Sequence, residues 1–531
     1  MIPLLSFIVL TYLASFSYAL AIPILDRLPF RVQTQLGRIF SPASRTLCDP
    51  YEQWIQDEKQ IALDRLLANV APGGANTKSA APGTVIASPS TENPNYYYHW
   101  IRDGAITLST TVPYLDAKSS LSSHVFDIFD AYNHLTYRLQ RTTNPSGRFY
   151  DLKSLGEPKF EVSGEPFTGP WGRPQPDGPA LRAITMMEFL TQYNRTYPSV
   201  WGTAAGAVWY RTFYDPQMPS AVPDSTVKAD LEYVSKYWGS TGFDLWEEVN
   251  GRHFFTAMVQ LRALRDGAKL AGAFGDPGAA SWYSTQAAQL QDLIHTFWDE
   301  KRGHLISIQD TPRSGLDCSI LLGSLHGTSL DQETNTPFPP HSPEILLSLL
   351  ALLRDQRARF PINSVPTPSA DEDPLRAAGI GRYPEDAYNG YESIPGAGNP
   401  WFLCTSSAAE VLYRTRHQIT RHGSLTITQR GLPFWNAVVW NATAGDPDLQ
   451  PGDYGCTTDA GGPACKTYEH VVQRLTQVAD NFLGVVKRHS GAQGSMSEQF
   501  DRVTGYERGA RDLTWSYGAF LSAVRAREIA A

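Results

Sequence analysis

From about residue 50 to its C-terminus the chain repeats one pattern, apolar side chains at the spacing of a single helix face. In "HVVQRLTQVADNFLGVV" positions 471, 475, 478, 479, 482 and 486 are apolar, the i, i+4, i+7, i+8, i+11 series of a helix that buries one stripe. "DLTWSYGAFLSAVRA" repeats it at 513, 517, 520, 521 and 524, and "HVFDIFDAYNHLTYRL" at 125, 128, 129, 132 and 135. Further helices are predicted over 52–69, 101–115, 179–193, 228–238, 252–271, 280–298, 342–355 and 403–417. Strand patterns are confined to two short, isolated runs, "HLISIQ" at 304–309 and "SLTIT" at 424–428. Amphipathic helices must bury their stripes against something. With so little strand to cover, about a dozen of them imply an all-α fold of antiparallel hairpins. No Ser/Thr-rich linker or low-complexity tract interrupts the pattern, so one domain is expected from about 45 to 531.

Composition removes several classes of function. With 42% hydrophobic and 18% charged residues in 531, the chain is globular. Its formal charge is −8 and it has no Lys/Arg-rich run, so no nucleic-acid partner is expected. The N-terminal stretch carries no charged side chain before Asp26, and "ALA" at 19–21 offers a small-x-small cleavage site. A secretory signal peptide over 1–21 fits, with an uncleaved membrane anchor as the rival reading. Arg27, Arg31 and Arg38 then mark 22–44 as a candidate pro-segment. A secreted, soluble monomer without stable membrane association is the expectation. Of five cysteines, an odd count, Cys456 and Cys465 bracket the flexible "TTDAGGPA" and are the candidate disulfide. Cys404 heads an apolar helical run and reads as a buried free thiol, while Cys48 and Cys318 stay unassigned. Sequons at Asn194 and Asn441 are candidate N-glycosylation sites.

The unusual residues lie in the long loops between helices, which pair carboxylates and guanidiniums with aromatics. Trp100-Ile-Arg102-Asp103, Trp171-Gly-Arg173, "GFDLWEEVNG" with Asp244, Glu247 and Glu248, Arg382-Tyr-Pro-Glu385-Asp386, and "SMSEQFD" with Glu498 are the five. No Cys/His cluster has metal spacing, and neither H-E-x-x-H nor G-x-S-x-G occurs; no cofactor and no metal are expected. Adjacent side chains point in different directions in helix and strand alike, so Glu247 and Glu248 cannot flank one substrate bond. Cleaving a glycosidic bond needs one protonated carboxyl for the leaving oxygen and one carboxylate to activate water or attack. Arginine and aspartate bind sugar hydroxyls, and indole faces cover the ring. A helix-bridging network of ion pairs would use the same residue types, so the inventory alone leaves both readings open.

"SPSTENPNYYYHWIRDGA", "LGEPKF…WGRPQPDGPALRA", "DLWEEVNG…FFT", "GRYPED…GNPWFLCT" and "GSMSEQFD…ARDLTWSY" occur in that order over residues 86–520. Together they resemble the signature blocks of fungal glucoamylases in glycoside hydrolase family 15. The resemblance implies an (α/α)6 barrel and exo-hydrolysis of α-1,4-linked (more slowly α-1,6-linked) glucans from the non-reducing end, with inversion to β-D-glucose. It implies Glu247 as general acid and Glu498 as general base. It implies Arg102, Asp103 and Arg382 as a clamp on the terminal glucose, Tyr96 and Trp171 as pocket lining, and Asp244 as a further binding-site residue. Glu248 and Trp401 match positions near the second sugar. Tyr97, Tyr98 and Trp100 are expected as packing, and Asp386, Arg511 and Asp512 as structural ion pairs. Three departures stand out. "AYNGYESIPGAGNPW" is longer than the compact version of that loop, which bears on the shape of the outer subsites. The chain ends shortly after the last block, so no C-terminal starch-binding domain is expected. "GYERGAR" at 505–511 differs from the family's commoner residues and is expected at the surface.

Overall fold

The structure, a computed structural model, describes residues 49–217, 223–329, 336–364, 372–440, 449–456 and 460–531. The chain divides into two units, Met1–Asp57 and Glu58–Ala531. Of the first, only 49–57 are described, helical from Pro50 onward. The expected signal peptide, the pro-segment and Cys48 lie outside the described residues, as does Asn441.

Among the described residues twelve helices of nine residues or more follow in chain order: α1 (Pro50–Ala68), α2 (Ile101–Thr111), α3 (Ser122–Arg141), α4 (Asp177–Thr196), α5 (Thr226–Tyr237) and α6 (Phe254–Ala273), then α7 (Pro277–His295), α8 (Ser319–Gly327), α9 (Pro343–Arg359), α10 (Phe402–His422), α11 (Pro463–His489) and α12 (Thr514–Ala530). The even-numbered helices close a ring, with α2 packed on α4, α4 on α6, α6 on α8, α8 on α10, α10 on α12, and α12 back on α2. Odd-numbered helices lie outside, α7 against α6 and α11 against α10. This is an (α/α)6 barrel.

The two rings bury their residues differently. Outer α11 buries Val471, Leu475, Val478, Ala479, Phe482 and Val486, the stripe its periodicity marks. Inner α10 is buried without a break from Phe402 to Thr415, as a helix enclosed on every side must be. Enclosure explains the one long helix absent from the expectations. α8, "SILLGSLHG", is mostly apolar and buried except at His326, so it shows no exposed polar face to set a period. Its C-terminal carbonyls are met by Arg414, whose guanidinium donates to Leu325 O at 3.0 Å and Thr328 O at 2.9 Å. Arg182 on α4 holds Asp230 on α5 through two bonds of 2.8 and 2.6 Å, a bidentate pair that satisfies both buried charges.

The missed helix also corrects a cysteine. Cys404 is not a free thiol but is bonded to Cys318, with Cα atoms 5.8 Å apart. Cys318 caps the start of α8 and Cys404 lies in the first turn of α10, so adjacent inner helices bring them together. Cys456 and Cys465 are paired as well, with Cα atoms 4.4 Å apart. Both short strand runs find partners: His304–Leu305 pairs with Trp298–Asp299, and Ser424–Ile427 with Gly452–Gly455. Asn194 is exposed in the last turn of α4. Among the described residues no helix is long and apolar enough to cross a membrane.

Because outer and inner helices alternate, the inner six run parallel and begin at one end. The aromatic and charged loops enter them there, and the positive ends of their dipoles gather at that end.

Candidate active site

Gly242–Phe243 pairs with Asn250–Gly251, and "DLWEEV" is the turn between them. Asp244 holds that turn. Its carboxylate accepts from the backbone N–H of Glu248 at 2.7 Å and of Val249 at 2.9 Å, and its carbonyl accepts from Glu247 N–H at 2.9 Å. The result is a left-handed Glu247, with φ of 68°, a conformation costing about 1–3 kcal/mol for a side chain with Cβ. Asp244 is buried behind the pocket wall and is absent from its lining.

The turn aims Glu247 into a pocket of about 410 Å³. Oε1 accepts from Trp100 Nε1 at 2.7 Å, Gln175 Nε2 at 3.0 Å and Arg102 Nη2 at 3.3 Å, and Oε2 accepts from Trp171 Nε1 at 2.8 Å. Trp100 is therefore more than packing. It stands in the strand pair His99–Trp100 with Lys159–Phe160, opposite Lys159. The Lys159 ammonium sits 3.2 Å from the Trp171 ring centroid and 4.4 Å from that of Trp100, with Phe167 and Tyr98 on its other sides. Burial pulls the Lys159 ammonium down to about 8, with Glu247 opposing. Trp246, despite its adjacency, does not bond Glu247; its indole donates to Asp317 at 3.1 Å and its ring leans on Trp401, centroids 5.5 Å apart.

Glu498 lines the same pocket from the far end of the chain and is fully buried. Its backbone N–H bonds Ala510 O at 2.8 Å, and Gln499–Phe500 pairs with Glu507–Arg508. Tyr96 donates its hydroxyl to Glu498 Oε1 at 2.8 Å, and the Tyr388 hydroxyl is 3.4 Å from that of Tyr96. Burial pushes the Glu498 carboxyl up to about 7, against the Tyr96 hydroxyl, the Arg382 charge and the Tyr388 hydroxyl. The segment "GYERGAR" lies only partly at the surface. Tyr506 is exposed, but a Cβ on Gly509, at φ of 76°, would stand 2.3 Å from Glu498 Oε2. Glycine there makes room for the carboxylate.

Two arginines, Arg102 and Arg382, complete the wall. Arg382 grips Asp386 in a fork at 2.9 and 2.6 Å and reaches Glu248 Oε1 at 2.9 Å. Glu248 also takes Arg313 at 3.0 Å and the Tyr383 hydroxyl. Burial works against its charge, but Arg382, Tyr383 and Arg313 outweigh it and hold Glu248 below its ordinary value. Arg102 bonds Gln175 and Asp177 at 2.9 Å each, besides Glu247. Asp103 lines the pocket, its carboxyl pushed up to about 6 by burial against the pull of Arg102.

Of the residues named from sequence, Glu247, Glu498, Tyr96, Arg102, Asp103, Trp171, Glu248, Arg382 and Trp401 line one pocket. Asp386 is the partner of Arg382, and Asp512 pairs with Arg65 at 2.7 Å. Sequence reasoning missed Gln175, Lys159, Asp317 and Tyr388. Gln175 and Lys159 stand inside a quoted block, but neither residue type signals by itself that it faces a carboxylate or a cage of rings.

Two carboxylates sharing a pocket with indoles and guanidiniums, at the open end of an (α/α)6 barrel, define a glycoside hydrolase. Residues 60–525 match the family model for glycosyl hydrolases family 15, and the chain belongs to that family. It is 37% identical to the glucoamylase GLU1 of Saccharomycopsis fibuligera over 90% of each chain. A glucoamylase of Saccharomyces cerevisiae named as intracellular and sporulation-specific is 34% identical, across 90% of this chain and 84% of its own. The solved structure of a glucoamylase from Saccharomycopsis fibuligera superposes with a TM-score of 0.78 at 36% identity, covering 90% of this chain and 96% of that one.

Proposed function

We propose that the protein is an exo-acting glucoamylase that releases β-D-glucose from the non-reducing ends of α-1,4-linked glucans, and more slowly from α-1,6 linkages. The observation that carries the reading is that Glu247 and Glu498, 251 positions apart in the chain (498 − 247), line one pocket. Depth divides their roles. A chain-end glucose lies inside while the rest of the substrate leads out to solvent, so the scissile oxygen lies on the mouth side. Glu247 has a side chain 15% exposed and bonds the half-exposed Trp171; Glu498 has no exposed surface.

Glu247 gives its proton to the glycosidic oxygen as the C1–O bond breaks. A water held by Glu498 attacks C1 from the opposite face and passes its proton to that carboxylate. Inversion requires the two carboxyls about 6.5–9.5 Å apart, room for one water. Arg102, Asp103 and Arg382 bind the terminal glucose, with Tyr96 and Trp171 along its sides; Glu248 and Trp401 meet the second sugar, and Asp244 serves binding by fixing the turn. The enzyme acts as a monomer, without cofactor, through a catalytic domain over 45–531. It is secreted after loss of residues 1–21 and N-glycosylated at Asn194 and Asn441.

Proton NMR of the products from maltoheptaose tests this directly. Early β-glucose without intermediate oligosaccharides is expected; early α-glucose, or a ladder of internal fragments, rejects the mechanism.

A further inference from the structure

A second cavity, of about 560 Å³, lies away from the catalytic pocket between the 3-10 turn Phe149–Asp151, α5 and the first half of α7. Its walls carry two exposed aromatics from different elements, Tyr150 (74% exposed) and Trp282 (49%). Of the thirteen tryptophans, all among the described residues, only Trp282 and the catalytic-pocket Trp171 are this open. Two exposed rings from different elements on one cavity offer flat faces on which a ligand can stack.

The polar groups beside it suit a neutral, hydroxyl-rich ligand. Gln286 is 8% exposed and lines the cavity. Its Oε1 is fixed by Trp238 Nε1 at 2.9 Å, which orients the amide, and its Nε2 donates to no described residue. That nitrogen stays open to the cavity, where a ligand hydroxyl can accept from it. Lys236 lines the same cavity, with Nζ 3.4 Å from the Asp151 carbonyl; Glu232 lines it too, accepting from the Tyr283 hydroxyl at 2.8 Å, while the Ser235 hydroxyl is committed to the Glu232 carbonyl at 3.1 Å.

From this arrangement we infer a second glucan-binding site, in which the face of a glucose unit stacks on Trp282, Tyr150 covers a neighbouring unit, and Gln286 Nε2 and Lys236 donate to ring hydroxyls. The inference rests on the glucan-hydrolysing reading above and deepens it. A pocket that accepts only chain ends acts on a polymer whose ends are few. A weak site that holds the chain elsewhere raises the local concentration of ends without entering the chemistry.

The test uses the full chain in a Glu247→Gln background, so that the matrix stays intact, on native gels with and without glycogen. Trp282→Ala should show about two- to tenfold weaker retardation by glycogen than its parent. Tyr150→Ala, a change on a surface turn, should shift it in the same direction and serves where the tryptophan variant does not fold. In the otherwise wild-type enzyme, the same substitutions should lower kcat/KM on glycogen while leaving maltotriose hydrolysis unchanged. Equal retardation of variants and parent overturns the site, as does a parallel loss on glycogen and maltotriose. A wild-type enzyme that hydrolyses neither sugar instead overturns the glucan-hydrolysing reading, which the gel comparison does not depend on.

Discussion

Glu247 and Glu498 share one pocket, yet the molecule holds them by opposite means. Glu247 is gripped by N–H groups alone, two indoles, an amide and a guanidinium, on a strained turn near the mouth. Glu498 is sunk to zero exposure, takes a tyrosine hydroxyl on Oε1 at 2.8 Å and only one long N–H bond, from Gln499 Nε2 to Oε2 at 3.3 Å, and is given clearance by a glycine. N–H groups only donate, so they fix the direction of a carboxyl. A hydroxyl both donates and accepts, so it can belong to a chain that includes a water. The difference matches an acid that must meet one oxygen and a base that must hold one water.

The strongest way to break this division is to remove each carboxylate in turn. Glu247→Gln and Glu498→Gln should each lower kcat on maltose by about 10²–10⁴-fold. They should part on α-glucosyl fluoride, whose leaving group needs no proton: Glu247→Gln recovers much of its rate, and Glu498→Gln does not. Equal losses on both substrates would mean the roles are not divided as argued.

Gly509→Ala sharpens the base side. The added Cβ, 2.3 Å from Glu498 Oε2, must push the carboxylate aside, and a displacement near 1 Å costs about 10²-fold in kcat. Maltose KM should move far less. Unchanged kcat would show that the position of Glu498 is not set by this contact.

Lys159→Met probes the acid side. The ammonium lies against the rings of Trp171 and Trp100, both of which donate to Glu247. Cation–π contacts of about 0.5–2 kcal/mol predict a loss of kcat of about two- to thirtyfold. Stability, followed by thermal midpoint, should hold or rise, because methionine carries no charge to bury. A fall in midpoint with kcat unchanged would make Lys159 a packing residue only.

Which parts of this were legible in the sequence follows from periodicity and its loss. Outer helices such as α11 face water on one side and print their stripe in the sequence. α8 faces water only at His326, printed no stripe, and took with it the Cys318–Cys404 bond. At the site, Glu247 and Glu498 were legible because they stand in ordered blocks. Trp100 and Lys159 meet through a strand pair two residues long, too short for any alternation to show. Gly509 stood in a segment read as surface, because nothing local says that a hairpin returns it to a carboxylate 11 positions earlier (509 − 498).

The smallest expected effect tests the hydroxyl itself. Tyr96→Phe removes the donor 2.8 Å from Glu498 Oε1, which favours the ionised form. Loss of one such bond, about 1 kcal/mol, raises the carboxyl by somewhat under one pH unit. Since the base works only when ionised, the acid limb of kcat/KM should move to higher pH while the basic limb stays. Stability carries the same sign. Glu498 rises from 4.5 to about 7 on folding, so the folded state keeps its proton where the unfolded state has lost it. That contribution is complete below about pH 4.5 and is lost as pH rises toward 7. Tyr96→Phe should extend the decline to higher pH, and Glu498→Gln should flatten it. An acid limb that does not move in Tyr96→Phe would mean that the tyrosine packs against Glu498 without tuning it.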